Sequence, residues 1–346
     1  MPDYLSVYTI SPTNTHSRLP SRAKRGIRFI FKPLAILLAL LPLECPSALA
    51  QTHPHRPRIL GIYQVKISAT HLPASLAFYS KTLNLANDLD RTLPSDTFVI
   101  NSSQDLWLDA AASPTPANLI AEVTFSTDDV PAIRQYLVSQ KIAVSAPIKS
   151  TFGDYYLTIT DPEGHRIGFM QSKMGAAGST PSAPNSSSAS QYSSFRLIHA
   201  GFVVRDRTAG EHFYKDVLGF RPYWHGGMKD DQTDWVSLQV PDGTDWLEFM
   251  VNVSPNADHH TLGVMNHIAL GVPDIQAAKA QLVKNGWKPT EEPKLGRDGK
   301  WQLNLYDPDD TRVELMEFTP KEKPCCSEFT GPHPGSASPP SALIKP

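Results

Sequence analysis

Cysteine is almost missing, three in 346 residues. Cys45 lies in a leading apolar stretch, and the other two, Cys325 and Cys326, are adjacent. No disulfide framework can staple distant parts of such a chain. A vicinal bridge, an intermolecular bridge or free thiols all stay open. Long apolar runs are missing too. The run Leu34 to Leu41 falls far short of the roughly 20 residues a spanning helix needs, so no stable membrane span is expected once it is removed. Charged residues make up only 19%, and beyond residue 50 they balance at −6 with no Lys/Arg cluster. A phosphate-tracking surface is therefore excluded, and with it a nucleic-acid partner.

Proline, by contrast, is in excess at 31 residues. Seventeen of these fall in residues 1–57, around Pro181 and Pro184, and in residues 320–346, so they mark the edges of a compact body. Residues 1–50 carry a net charge of +4. Basic Arg22 to Lys32 runs into the short apolar stretch and then into Ala48-Leu49-Ala50. These are the parts of a secretory signal peptide, with cleavage expected before Gln51. The mature chain is expected to be exported, periplasmic or secreted, or membrane-anchored if the segment is retained. Residues 173–194 are Gly/Ser/Pro-rich and read as a linker. It separates two similar halves, 57–172 and 195–319, and residues 320–346 read as a proline-rich tail.

Each half repeats one pattern twice. In the second half a strand at 196–204 precedes a helix from Ala209 to Leu218 and strands at 221–225, 235–240 and 246–251. The order then recurs as strand 264–272, helix 274–285, a strand near Lys288, and strands 301–306 and 312–318. In the first half strand 59–69 leads to a helix holding Phe78 and Tyr79, strand 120–126 to helix 130–140, and strands 155–160 and 166–171 follow. The order is four βαβββ units in two pairs, an α+β chain. Asp161-Pro162 and Asp307-Pro308 sit at like places in their units.

In the second half the first strand of each unit holds a histidine, His199 and His267, and the last strand a glutamate, Glu248 and Glu314. The intervals are 49 and 47 residues, so paired units bring all four side chains towards one point. Two imidazoles and two carboxylates suit one divalent transition metal, Zn, Ni, Mn, Co or Fe. Four protein ligands on an octahedral ion leave two adjacent positions for a small-molecule substrate offering two vicinal oxygens. His225, His259 and His260 read as strand-end or loop residues. Tyr223, Trp224, Trp235, Trp246 and Trp301 either pack the core or line a pocket.

The segments Phe213-Tyr-Lys-Asp-Val-Leu-Gly-Phe220 and Asp307-Pro-Asp-Asp-Thr-Arg-Val-Glu-Leu315 resemble the vicinal oxygen chelate superfamily of glyoxalases, epimerases, extradiol dioxygenases and bleomycin-resistance proteins. The resemblance covers residues 59–172 and 195–319. It implies two tandem domains with cupped mixed sheets, and it matches His199, Glu248, His267 and Glu314 to the family's metal ligands. Gln64, Asp109, Glu122 and Gly168 stand at the corresponding places of the first half, which implies a lost metal site there. Three activities are compatible. The first is a glyoxalase- or epimerase-like enzyme, in which Glu314 acts as base and ligand and Glu248 is the second catalytic carboxylate. The second is an extradiol-type dioxygenase using His199, His267 and Glu314, against which stand Glu248 and Asn304 in place of the histidine and tyrosine of those enzymes. The third is a non-catalytic, drug-sequestering binding protein.

Overall fold

A computed structural model describes residues 55–87, 96–149, 153–172 and 195–336. The expected signal peptide, the linker and the last ten residues lie outside these. Each half forms one curled, eight-stranded mixed sheet. In the first, the strands are β1 (Ile59–Ala69), β2 (Ala86–Asn87), β3 (Asp96–Asn101), β4 (Gln104–Ala110), β5 (Ile120–Thr127), β6 (Ile148–Lys149), β7 (Tyr155–Thr160) and β8 (Arg166–Gln171). The second has β9 (Arg196–Val203), β10 (Arg221–Gly226), β11 (Trp235–Gln239), β12 (Trp246–Met250), β13 (His267–Val272), β14 (Lys294–Leu295), β15 (Trp301–Tyr306) and β16 (Arg312–Glu317).

The strand orders are β2-β3-β4-β1-β5-β8-β7-β6 and β10-β11-β12-β9-β13-β16-β15-β14. In each sheet the first strands of two units pair antiparallel at the centre, β1 with β5 and β9 with β13, and each takes the last strand of its own unit as a parallel partner. This is the pseudo-twofold arrangement that the βαβββ repeat anticipates, and it sets the two first strands beside the two last strands. Residues of these four strands therefore meet at the sheet centre.

Local signals explain the helices. Asp129 and Asp274 accept from the N–H groups of Ala132 and Ala277, both at 2.8 Å, and so cap the equivalent helices Val130–Ser139 and Ile275–Lys284. Gly286, with φ of 96°, ends the latter in the left-handed region. Three expectations shift, the first being the strand read near Lys288, which lies instead at Lys294–Leu295, beyond a loop that follows the helix. The stretch read as helix from Ala209, opened by Asp206, starts two residues earlier as the α-helix Arg207–Glu211 with Asp206 as its cap, and continues as a π-helix, His212–Val217. Residues 264–266 are not strand: Asp258 caps a short helix, His259–Met265, that ends just before β13. Among the described residues no helix is long and apolar enough to cross a membrane.

The main core, including Val65, Phe125, Phe202, Phe249 and Leu315, lies on one face of the sheets and joins both halves. The Asp-Pro turns lock them together. One oxygen of Asp307 accepts from the N–H groups of Asp309 and Thr311, both at 2.9 Å, while the other accepts from Tyr79 OH of the first half at 3.1 Å. Reciprocally, Asp161 accepts from Glu163 N and His165 N through one oxygen and from Tyr214 OH at 3.0 Å through the other. Gln104 adds a bridge by donating to the carbonyls of Ile62 and Leu197. The opposite face of the second sheet carries a smaller cluster of Tyr223, Trp224, Trp246, Ala269, Met316 and Phe318.

Candidate metal centre

Strand register places the four predicted donors. Glu248 on β12 and His267 on β13 both stand opposite Gly201 of β9, from its two sides, while Glu314 on β16 stands opposite Ala269, which in turn faces His199. Side chains two residues apart share a face, so all four project into the same concavity. The Nε2 atoms of His199 and His267 lie 3.0 Å apart. Glu314 Oε2 is 3.6 and 3.7 Å from these two nitrogens, and Glu248 Oε2 is 4.0 and 3.4 Å from them. Donor atoms of His199, Glu248 and His267 all fall within 4.8 Å of one another, a spacing that could hold a metal ion.

The ionisation states suit a cation. Burial pushes both imidazoles well below their ordinary pKa, and their mutual repulsion lowers His199 further, so both are neutral. His267 Nδ1 lies 2.9 Å from the carbonyl of Met265. A carbonyl only accepts, so Nδ1 carries the proton and the Nε2 lone pair points to the centre, the tautomer that metal ligation uses. Burial raises Glu248, and it raises Glu314 to about 7, with Arg312 opposing and the charge of Glu248 adding to the rise. Two neutral nitrogens facing each other with two carboxylates close by form a donor set that a divalent ion satisfies. The residues present fit the metal.

Around this centre stand further groups, of which the sequence reading singled out Trp246 but missed Lys300. Trp246 packs against His199 with the two rings tilted by 36° and their centroids 4.7 Å apart. Lys300, fully buried, sits over the Trp246 ring at 4.6 Å, and burial lowers its pKa to about 8 against the pull of Asp298, Glu314 and Glu248. Lys300 has the parity of Asn304 on β15, which faces Glu314. That alternation was the available signal, but the residue lies one place before the strand begins. The proline-rich segment after β16 is folded on the same face. Cys325 N bonds to Arg297 O at 2.8 Å, Trp224 Nε1 to Cys325 O at 3.2 Å, and Thr330 N to Tyr223 O at 3.0 Å, while Phe329 packs on Tyr223 and Trp224. Cys325 and Cys326 form a vicinal disulfide within this strap. Of the five aromatics singled out in the sequence, Tyr223, Trp224, Trp235 and Trp246 belong to this face, whereas Trp301 packs in the main core. His225 and His259 are exposed, as is His260, which pairs with Asp310. None joins the cluster.

The first half is closed by its own side chains. Gln64, Glu122 and Gly168 occupy the register positions of His199, His267 and Glu314, but Trp107, not Asp109, faces Lys66 as Glu248 faces Gly201. The turn between β3 and β4 is shorter than the segment between β11 and β12, so the resemblance to the family's pattern, which pointed to Asp109, misses the register by two residues. Glu122 accepts from Thr124, Tyr156 and Arg166 at 2.7, 2.6 and 2.6 Å, and Lys66 pairs with Asp109 over the Trp107 ring. A Cβ on Gly168 would meet Glu122 Oε1 at 2.8 Å. These groups satisfy one another, and no cation is needed.

Comparison with known proteins agrees with this picture. None of the curated protein sequences matches the chain. Among solved structures, a point mutant of homoprotocatechuate 2,3-dioxygenase from Brevibacterium fuscum is 19% identical, with 81% of this chain and 75% of that one covered at a TM-score of 0.56. An anaerobic complex of that enzyme with 3,4-dihydroxyphenylacetate is 18% identical, covering 81% and 84% at 0.53. A room-temperature structure of an extradiol ring-cleaving dioxygenase from B. fuscum is 17% identical, covering 81% and 76% at 0.55. At such identities the likeness is one of fold. A family model matches twice, at residues 61–169 and 196–315, once for each curled sheet. Those two segments span more than half of the chain, which therefore belongs to the Glyoxalase/Bleomycin resistance protein/Dioxygenase superfamily.

Proposed function

We propose that the chain is a metal-dependent enzyme of the glyoxalase or epimerase kind, acting on a small molecule with two vicinal oxygens. His199, His267, Glu248 and Glu314 would hold the ion. Bound there, a divalent metal supplies Lewis acidity to a carbonyl oxygen. The observation that carries the reading is the second carboxylate: Glu248 Oε2 approaches His267 Nε2 to 3.4 Å while Glu314 Oε2 stands 3.7 Å from the same atom. Four protein donors leave an octahedral ion two positions, enough for two substrate oxygens and too few for a dioxygen molecule besides. Glu314 takes the proton from the carbon beside the carbonyl and returns it, to the same carbon or its neighbour, with Glu248 as the second carboxylate. One proton leaves and one returns through the Glu314 carboxyl, which can trade it with solvent in between, so no net proton and no oxidant is consumed. Export of the mature chain belongs to the same proposal, and it disfavours glutathione adducts as substrates.

A second reading, ring cleavage of a catechol, is favoured by the aromatic wall of Tyr223, Trp224 and Trp246 and by the dioxygenase fold neighbours. One pair of measurements separates the two. Protein loaded in turn with Zn, Ni, Mn, Co and Fe is incubated in D2O with 2-hydroxyketones and 2-oxoaldehydes, and exchange at the carbon next to the carbonyl is followed by NMR. Iron-loaded protein is given catechols in an oxygen electrode. Metal-dependent exchange that Glu314→Gln abolishes supports the proposal. Full turnover with bound metal in that variant overturns the base assignment, and oxygen uptake with catechols establishes the second reading in its place.

A further inference from the structure

Lys300 is 0% exposed, and its Nζ has no hydrogen-bond acceptor. It lies over three ring faces, Trp246 at 4.6 Å, Phe329 at 5.1 Å and Tyr223 at 5.6 Å. Such rings offset the charge but satisfy none of the three N–H donors of an ammonium. The adjacent carboxylate does not do so either: Asp298 Oδ1 accepts from the backbone N of Lys300 at 3.1 Å and from Gln302 Nε2 at 3.2 Å. Trp246, whose ring contacts both Lys300 Nζ and the His199 imidazole, also has a buried Nε1 without an acceptor. So has Arg312 Nε, although at the same register position of the first half Arg166 Nε donates to Glu122 at 2.6 Å. Three buried donors thus surround the four metal-type ligands with no acceptor among them. Native proteins rarely leave buried donors unpaired, and an ammonium in a low-dielectric setting pairs best with an anion.

We propose that Lys300 determines specificity by binding an oxyanion of the substrate, a carboxylate in the simplest case, carried in addition to the two chelating oxygens, with Trp246 Nε1 as a second donor. The inference rests on the metal-chelate reading above and narrows its substrate class to acids. Phe329 of the strap forms one wall of the box around Nζ, so a docked strap and a bound acid support each other.

The test uses zinc-loaded full-length protein and calorimetric titration with matched chelators. The monohydroxamates of succinate, glutarate and adipate are compared with butyro-, valero- and caprohydroxamate, which carry a methyl where the first set carries a carboxylate. Wild type is expected to prefer the acid at one chain length or more by about tenfold, the order of one charge-assisted pair. Lys300→Met is expected to erase that preference while leaving the uncharged series unchanged, and Lys300→Arg to keep part of it. Trp246→Phe, which retains the ring and removes the N–H, is expected to weaken it and serves if Lys300→Met does not fold. Zinc-dependent binding without preference at any length, or a preference that survives Lys300→Met, overturns the assignment of Lys300 alone. Absence of zinc-dependent binding in both series removes the chelate reading and this inference with it.

Discussion

Gly201 lies directly beneath the imidazole of His267: a Cβ there would stand 2.1 Å from Cε1 and 2.3 Å from Nδ1. The two residues face each other across the central strand pair, so the ring can reach the metal-type cluster only because β9 offers no side chain at that point. In the first half the same register position is Lys66, whose side chain fills the space. Gly201→Ala is expected to push the ring off the centre. Zinc affinity measured by calorimetry should fall at least about tenfold, in the range seen when a ligand's support is disturbed, with far-UV circular dichroism unchanged and a stability loss of about 1–3 kcal/mol for the overpacking.

Metal should also appear in the stability of the fold. A ligand that binds only the folded chain adds about 2.7 kcal/mol when its free concentration is one hundred times its dissociation constant. Protein purified without chelator is expected to carry about one divalent ion per chain and to melt at a lower temperature after EDTA treatment. His199→Ala and His267→Ala should each abolish that shift, since either removes one of two nitrogens only 3.0 Å apart. A melting temperature indifferent to EDTA in wild type would count against the centre.

Much of this was legible in the sequence, for a definite reason. The four donors sit on central strands, where alternation and pairing are the same in every copy of the unit, so equal spacing along the chain becomes equal position in space. Asp129 and Asp274 announce their helices in the same way. What was not legible depends on segments whose length varies. Trp107 takes the place that the resemblance gave to Asp109, because the loops before β4 and β12 differ in length. The strap is read as a tail because proline-rich sequence has no period. Its anchors, such as Ser327 Oγ accepting from His225 N at 2.9 Å, join backbone and small side chains that no sequence pattern marks. Lys300 escapes notice as an ordinary charged residue after a Gly, and one of the three rings over its Nζ, Phe329, comes from the strap.

The paired Asp-Pro turns give a prediction about cohesion of the two halves. Tyr79→Phe removes the hydroxyl that Asp307 accepts at 3.1 Å, and Tyr214→Phe removes its counterpart on Asp161 at 3.0 Å. Each carboxylate keeps two backbone donors, so each variant should lose about 1–2 kcal/mol rather than the cost of a stranded charge. The two contacts share no partner, and the double variant should lose close to the sum of the single losses. Urea denaturation of the four proteins measures this, and a large non-additive term would mean that the latches act through a shared rearrangement.

The strap is expected to loosen in acid. His333 Nδ1 lies 2.6 Å from Tyr223 OH, and partial burial, with the nearby charge of Lys300, lowers its pKa from 6.5 to about 4. The docked strap therefore binds fewer protons than the free strap between those values, and docking weakens as pH falls from 6.5 towards 4. His333 is only half-buried, and after solvent screening the effect should be about 1 kcal/mol, roughly a fivefold change in the undocked population. Limited proteolysis in the strap, followed by mass spectrometry, should quicken by that factor as pH falls from 7 to 4.5, with the protease's own pH profile calibrated on an unstructured peptide. His333→Gln keeps a polar partner for Tyr223 without a titrating group and should make cleavage insensitive to pH. Equal pH dependence in both proteins would move the cause to another group.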